Sequence, residues 1–213
     1  MWIFLWFILS AFLIGATLWS LQILLRQKTA WEKYAKKRGF IFNKGTFMGP
    51  AEMSGTIGKY KLSFFTAERP GVDVRTRRYV TAIEIDLAEG VVDSGAFGTK
   101  EMIPFLMTLD MLHPYTVEIP GLETEHKAFV KRDAVMNAYL NKDRVEAIGN
   151  ILKTRNSDTL LLFNDNEVVL RLETSDPMQD AEKIDKIVTR LLSLVDRLRV
   201  SDEERARCMA AAA

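Results

Sequence analysis

The feature that most constrains this chain is an uncharged apolar run at its amino end. Residues 1–25 contain no charged side chain, and the first charge is Arg26. A helix of that length rises roughly 37 Å at 1.5 Å per residue, enough to cross a hydrocarbon core of about 30 Å. Tryptophans, which favour membrane–water interfaces, stand at positions 2, 6, 19 and 31. The run therefore predicts a transmembrane helix over residues 1–25.

A cleaved signal peptide is the alternative interpretation of this run. Such a peptide needs basic residues before the apolar stretch and small residues at a cleavage site just after it. No lysine or arginine precedes Trp2, and residues 18–22 (LWSLQ) offer no small-x-small pattern. The sequence therefore predicts an uncleaved membrane anchor.

Basic residues follow the apolar run directly. Residues 26–44 hold seven basic residues and one acidic residue, a local charge of +6. Cytoplasmic flanks of membrane helices are enriched in lysine and arginine. We therefore expect the helix to span an inner membrane with its amino end outside and the remaining chain in the cytoplasm. We expect residues 26–44 to form a basic juxtamembrane helix against anionic lipid headgroups. Its flanking cations are Arg26, Lys28, Lys33, Lys36, Lys37 and Arg38.

The whole-chain averages conceal this asymmetry. The net charge is +1, but the chain outside residues 26–44 carries 22 basic and 27 acidic residues, a net of −5. A net charge near zero gives no general reason to expect a nucleic-acid partner, and the arginines at 75, 77 and 78 have no aromatic residues interleaved among them. The single cysteine, Cys208, excludes an intramolecular disulfide framework and a zinc site built on several thiolates.

Residues 45–200 predict one soluble α+β domain. Period-two alternation predicts strands over residues 40–42, 51–57, 60–67, 79–87, 115–119, 159–163 and 167–172. Helical spacing predicts helices over residues 29–38, 101–112, 142–152 and 180–199, with Asn141 as an N-cap. The glycines of residues 91–99 predict a loop. The expected fold is thus an N-terminal transmembrane helix followed by one compact domain of antiparallel sheet covered by amphipathic helices.

Two finer divisions accompany this fold prediction. The order of helices and hairpins suggests two half-units, residues 45–120 and 121–200. The charged and alanine-rich residues 201–213 predict a flexible tail.

The polar segment 68–78 (ERPGVDVRTRR) predicts a mobile loop that carries Arg75, Arg77 and Arg78. Guanidinium groups gathered on one loop suit phosphate, an acidic partner or lipid headgroups. The alternative is that they are solvated or pair with Glu84 and Asp86 as weak surface ion pairs.

Several local motifs, taken in order, resemble a group of uncharacterised bacterial single-pass membrane proteins. The shared features are an amino-terminal anchor, Trp31, Tyr34-Ala35, Gly55-x-x-Gly58, Leu122-Glu123-Thr124-Glu125, Phe129-Val130 and a capped helix before a final hairpin. The resemblance extends from residue 31 to residue 198, and departs from the group's F-x-V segment at Phe129-Val130-Lys131. It implies an α+β topology and a bacterial context, but no activity and no catalytic residue.

Residues that carry chemistry are few. The chain has no H-E-x-x-H, C-x-x-C, EF-hand or phosphate-loop motif, and Ser94 lacks a G-x-S-x-G context. The one candidate ligand group is Glu123, Glu125 and His126, carboxylates and an imidazole that zinc or manganese accepts. A solvated acidic loop is the favoured explanation, because ligands so close in sequence seldom surround one ion. The sequence therefore predicts no catalytic residue, no metal site and no cofactor.

These observations predict a membrane-anchored, non-enzymatic interaction or scaffold domain at the cytoplasmic face of a bacterial inner membrane. Its expected partners are the lipid bilayer, through anionic headgroups, and an unidentified protein; the oligomeric state stays open. One alternative is a membrane-tethered hydrolase or metal-dependent enzyme built on Glu123, Glu125 and His126. Another is an envelope factor whose domain faces the periplasm.

Overall fold

The computed structural model describes residues 2–70, 77–107, 112–119 and 126–210, except for the side chains of residues 70, 77 and 78. These residues form a long amino-terminal helix, an antiparallel sheet and several shorter helices. The predicted α+β fold with an apolar amino-terminal helix is thereby confirmed.

The first helix, α1, runs without a break over Trp2–Arg38, so the apolar run and the basic flank belong to one 37-residue helix. It ends at Arg38, as the helical spacing over residues 29–38 predicted, and short of residue 44, where the juxtamembrane helix was expected to end. The next residue, Gly39, has a φ of +71°, which glycine adopts at little cost. The amide of Phe40 donates to the carbonyl of Ala35 at 2.9 Å. The Phe40 ring meets the Tyr34 ring edge-on at 5.7 Å. This bond and this contact form a Schellman cap with its hydrophobic pair, which turns the chain into the sheet.

The sheet contains nine strands among the described residues, in the order β1-β2-β3-β4-β9-β8-β5-β7-β6. The strands are β1 Ile41–Asn43, β2 Glu52–Ile57, β3 Tyr60–Pro70, β4 Arg77–Leu87, β5 Gly95–Thr99, β6 His113–Tyr115, β7 His126–Val130, β8 Ser157–Phe163 and β9 Val168–Thr174. Each neighbouring pair is antiparallel.

The strand order interleaves the two half-units that the sequence suggested. β9, from the second half, pairs with β4 from the first. β5, from the first half, lies between β8 and β7 from the second. The sheet therefore joins residues 45–120 and 121–200 into one layer.

The helices that follow α1 lie around this sheet. They are a 3-10 turn at Lys100–Met102, α2 Ile103–Leu106, α3 Asp133–Tyr139, α4 Lys142–Leu152, α5 Ala181–Asp196 and α6 Asp202–Ala210. The Asn141 side chain accepts from the amide of Arg144 at 2.9 Å, which confirms the predicted N-cap. Asp180 caps α5 in the same way through the amide of Glu182.

Several local predictions differ from the structure. In place of the helix expected over residues 101–112, the structure has the 3-10 turn Lys100–Met102 and α2, which ends at Leu106. Gly95–Thr99, expected as a loop, is the interior strand β5. The strand expected over residues 115–119 lies earlier, at His113–Tyr115. Residues 202–210, expected in a flexible tail, form α6 with Cys208 buried.

The main core lies between one face of the sheet and the carboxyl half of α1 together with α4 and α5. Ile83, Ile85 and Leu87 point into it, as the alternation in β4 predicted. A smaller cluster on the other face packs the 3-10 turn and α2 against β5 and β8. The core thus contains the part of α1 that follows the apolar run.

Candidate membrane interface

Helix α1 changes its surroundings along its length. Residues 2–20 are exposed throughout, including Trp19 at 67%. Further along, Trp31 and Tyr34 are completely buried, and burial raises the pKa of Tyr34 to about 12. Among the described residues, α1 is the one helix that is long and apolar enough to cross a membrane, and its apolar part is exposed. One rigid element therefore joins an exposed apolar rod to the domain core.

The contacts of α1 show which end of the sheet lies nearest the apolar run. Trp31 and Tyr34 pack their rings against Phe64, at centroid distances of 6.0 and 5.9 Å. One turn closer to the apolar run, Gln27 donates to the hydroxyl of Thr81 at 3.4 Å. Phe64 pairs with Ile83, and Thr81 precedes Ile83 in β4. Moving along α1 from Trp31 to Gln27 therefore means moving toward the first residue of β4 and the last residue of β3.

The strand directions then identify the segments at this end of the domain. β1 runs toward it and β2 runs away, so the connection 44–50 lies there. β3 runs toward it and β4 runs away, so the last residue of β3, Pro70, and the first residue of β4, Arg77, lie there too. We call this end the anchor-side end of the domain.

Four of the six predicted flank cations bind within the protein. The Lys28 side chain is buried, and its ammonium donates to the carbonyls of Thr46 and Phe47 at 2.6 and 3.3 Å. Lys36 pairs with Glu32 at 2.7 Å along the helix. Lys37 and Arg38 pair with Asp185 in α5. Much of the basic segment thus fastens α1 to the domain.

The remaining two cations, Arg26 and Lys33, are exposed and border a groove between α1 and the start of α5. This groove has a volume of about 520 Å³, and Leu18, Leu21 and Leu25 supply its apolar wall. Asp180 lies on the opposite wall. The groove therefore combines an apolar surface with two cations and one carboxylate.

The predicted anionic-partner loop, residues 68–78, has strand structure at both of its described ends. Its outer parts continue the strands: Arg69 pairs with Arg78, and Pro70 with Arg77, through the backbone. Arg75 lies outside the described residues, as do the side chains of Arg77 and Arg78. Next to them, Tyr79 is 65% exposed. The backbone positions of Arg77 and Arg78 thus belong to the anchor-side end, although the sequence could not place them there.

A polar cleft of about 780 Å³ also opens near the end of β3. Within it, the Arg69 guanidinium binds Glu173, which is buried, and Asp158 at 2.6 Å. Arg171 also pairs with Glu173, at 2.7 Å. The charges at the centre of the cleft thus neutralise one another and form a structural network.

The enzyme alternative relied on Glu123, Glu125 and His126. The two glutamates lie outside the described residues, and His126 begins β7. Across the described part of the chain, no group of three or more His, Cys, Asp or Glu side chains is arranged to hold a metal ion. Near Ser94, the buried Asp93 is bound by Arg132 at 2.7 Å, which makes that carboxylate part of an ion pair.

The exposed apolar half of α1, the exposed Arg26, the connection 44–50, the last residue of β3 and the first residue of β4 lie at one end of the domain. Comparison with models of protein families, with curated proteins and with solved structures finds no match to this chain.

Proposed function

We propose that this chain is a single-pass membrane protein whose α+β domain sits on the cytoplasmic face of a bacterial inner membrane. The domain acts there as a non-enzymatic interaction or scaffold module. Its partners are anionic lipid headgroups and a protein of the same membrane surface.

The observation that carries this proposal is the unbroken course of α1. The same helix is exposed over residues 2–20 and completely buried at Trp31 and Tyr34. A flexible linker would let the domain drift away from the bilayer, whereas a continuous helix fixes its height and orientation. Confinement of a domain to a surface raises its effective concentration for partners there without any new contact.

The proposed sidedness comes from charge. The flank after the apolar run carries +6 over residues 26–44, and the run itself is uncharged. Positive flanks remain on the cytoplasmic side of a membrane helix. The resemblance to bacterial single-pass proteins supports the inner membrane as the compartment.

Anionic headgroups are supported by the position of the β3–β4 hairpin. β3 ends and β4 begins at the anchor-side end, and the sequence there holds Arg75, Arg77 and Arg78 within four positions. Each cation held close to an anionic surface contributes about 1 kcal/mol of attraction. Arg26 adds an exposed cation on α1 at the same end.

Reporter fusion tests the sidedness. The reporter belongs at the carboxyl end of the chain rather than after Val200, because α6 packs on the domain through the buried Cys208. We expect a reporter that works only in the cytosol to be active, and one that works only in the periplasm to be silent. The reverse pattern would support the periplasmic alternative and contradict our proposal.

Hydrogen exchange tests the headgroup contact. The full chain is placed in nanodiscs of neutral or anionic lipid, and exchange of the β3–β4 hairpin is measured. We expect anionic lipid to slow exchange in the wild type but not in the variant Arg75→Ala, Arg77→Ala, Arg78→Ala. Lys142→Ala is the control, because Lys142 is exposed at the first position of α4. Equal exchange in both lipids would contradict the headgroup role of the hairpin.

A further inference from the structure

The connection 44–50 forms a tight turn that presents two apolar side chains. The amide of Gly49 donates to the carbonyl of Thr46 at 3.2 Å, which closes a four-residue turn. Phe47 and Met48 occupy its two central positions, where 67% and 68% of their surfaces are exposed. Nothing in the local sequence requires large apolar residues at the apex of a turn, where small and polar residues are usual.

The base of this connection is also fixed in shape. The Asn43 side chain accepts from the amide of Gly45 at 3.1 Å. Gly45 has a φ of +65°, and a Cβ there would lie 2.1 Å from the carbonyl oxygen of Pro50. Glycine is therefore required at position 45, where the backbone passes close to Pro50.

Lys28 holds the turn against α1. Its side chain is only 3% exposed, and its ammonium binds the carbonyls of Thr46 and Phe47. A buried cation destabilises the fold unless its hydrogen bonds are made, so these two bonds favour one position of the turn against α1. The turn is thus attached to the helix that carries the apolar run.

The position of the turn along the axis of α1, which we call its level, follows from helix geometry. The α-carbon of Lys28 lies about 4.5 Å beyond that of Leu25, the last residue of the apolar run, at 1.5 Å per residue. Side chains of a helix lean toward its amino end, so the Lys28 ammonium reaches back toward Leu25. The bound carbonyls therefore lie near the level at which the apolar part of α1 ends.

We propose that Phe47 and Met48 insert into the headgroup–acyl boundary of the leaflet from which α1 emerges, and that Lys28 is the positioning residue for this turn. The inference rests on the membrane span of the proposed function and adds a second contact with the same bilayer. The bilayer is the occupant because Lys28 binds the turn to α1 near the level at which the exposed apolar run of that helix ends, so the exposed side chains of Phe47 and Met48 lie near that level too. An aromatic ring and a flexible thioether suit that boundary, where amphipathic and apolar side chains are readily accommodated.

A depth measurement on the full chain tests this proposal. An environment-sensitive fluorophore is attached at Met48→Cys in a Cys208→Ala background, and the protein is reconstituted into phosphatidylcholine vesicles with shallow nitroxide-labelled lipid. The matched control carries the fluorophore at Thr56→Cys, an exposed position toward the other end of β2. We expect blue-shifted, quenched emission at position 48 and unquenched emission at position 56.

Three results would overturn the insertion. The absence of quenching at position 48 would place the turn outside the bilayer, and equal quenching at positions 48 and 56 would show that the signal is not specific to the turn. A blue shift that resists lipid quenching and grows with protein density would assign the turn to contact with a second copy of the chain.

The role of Lys28 is tested in the same assay. We expect Lys28→Met to abolish quenching at position 48, and Lys28→Arg, which keeps donors for the two carbonyls, to retain it. Lys33→Met is the matched control, because Lys33 lies on α1 beside the groove near Asp180. Unchanged quenching in Lys28→Met would remove Lys28 from the proposal.

Vesicle flotation separates this inference from the proposed function. A chain that fails to float with lipid contradicts the membrane span itself. A chain that floats while position 48 stays unquenched contradicts the inserted turn alone.

Discussion

The carboxylate of Asp185, in α5, binds the guanidinium of Arg38 in the last turn of α1. Lys37 binds the same carboxylate at 3.0 Å. The Asp185 side chain thus fastens the carboxyl end of α1 to α5. Two cations of the predicted membrane flank bind this carboxylate inside the protein.

Asp185→Asn should weaken this junction modestly. Partly exposed ion pairs contribute up to about 1 kcal/mol, so we expect a loss of that order in the free energy of unfolding. Chemical denaturation of the full chain in detergent, followed by circular dichroism, measures it. Glu182→Gln, in the same helix, is the control. A loss equal to that of the control would show that the pair contributes nothing.

The same pair predicts a pH dependence. The hydrogen bonds from Arg38 and Lys37 lower the pKa of Asp185, so the folded state binds a proton less readily than the unfolded state. The stabilisation is therefore present above the ordinary carboxyl pKa of about 3.9 and is lost as the pH falls through the lower folded value. We expect the stability difference between wild type and Asp185→Asn to shrink below about pH 4. A difference that grows in acid would contradict this assignment.

Trp31→Ala should destabilise the domain strongly. The indole is completely buried and packs edge-on against Phe64. Removal of a buried tryptophan typically costs about 3–5 kcal/mol, because transfer energy and packing are both lost. Trp19→Ala, at a position 67% exposed in the same helix, is the matched control. Similar unfolding midpoints for the two variants would contradict the rigid attachment of α1.

Gly55→Ala tests a close approach inside the sheet. A Cβ at Gly55 would lie 2.2 Å from the Phe40 ring, so the ring must move and the Schellman cap of α1 is disturbed. Overpacking of this kind costs about 1–3 kcal/mol. Gly15→Ala, where a Cβ meets nothing within 4 Å, should leave the domain unchanged. Thermal unfolding compares the two, and an unaffected Gly55→Ala would mean that Phe40 has room to shift.

Glu204→Gln should loosen α6. Both oxygens of Glu204 bind the buried Arg144, at 2.7 and 2.8 Å, and this bond lowers the pKa of the carboxyl. Hydrogen bonds to charged groups contribute about 2 kcal/mol, so opening of α6 should become roughly thirtyfold more frequent. Alkylation of Cys208, which is 3% exposed in the closed state, reports that opening.

The control for this experiment is Glu203→Gln, an exposed neighbour in the same turn. We expect faster alkylation only in Glu204→Gln. Equal rates in the two variants would show that Arg144 does not hold α6 in place.

The elements that the sequence predicted best are those governed by local patterns. The apolar stripe of α5, the caps at Asn141 and Gly39, and the alternation in β4 all depend on neighbours within a few residues. Each of these patterns reappears in the structure at nearly the expected boundaries.

Strand β5 shows why other elements were missed. Glycines at 95 and 98 indicate a loop when only sequence neighbours are considered. In the fold, a Cβ at Gly95 would lie 2.6 Å from the Phe163 ring, and one at Gly98 would lie 2.9 Å from Leu106. The glycines make room for side chains that arrive from distant segments, and no local pattern contains that information.

Lys28 is the corresponding case within the candidate site. As a lysine beside an apolar run, it was predicted to face lipid headgroups; in the structure it is buried and binds a turn that follows it by 18 residues. Phe47 and Met48 carried no periodic signal, so their shared exposure at the apex of that turn was not predicted.

The sequence by itself determined the apolar run, the charge step that follows it and the α+β character of the chain, because these depend on composition and short-range periodicity. The tertiary structure alone decided the order of the strands, the joining of the two expected half-units and the partners of the basic flank. Those features depend on contacts between residues far apart in the chain, where packing and hydrogen-bond geometry select one arrangement among many that the same local patterns allow.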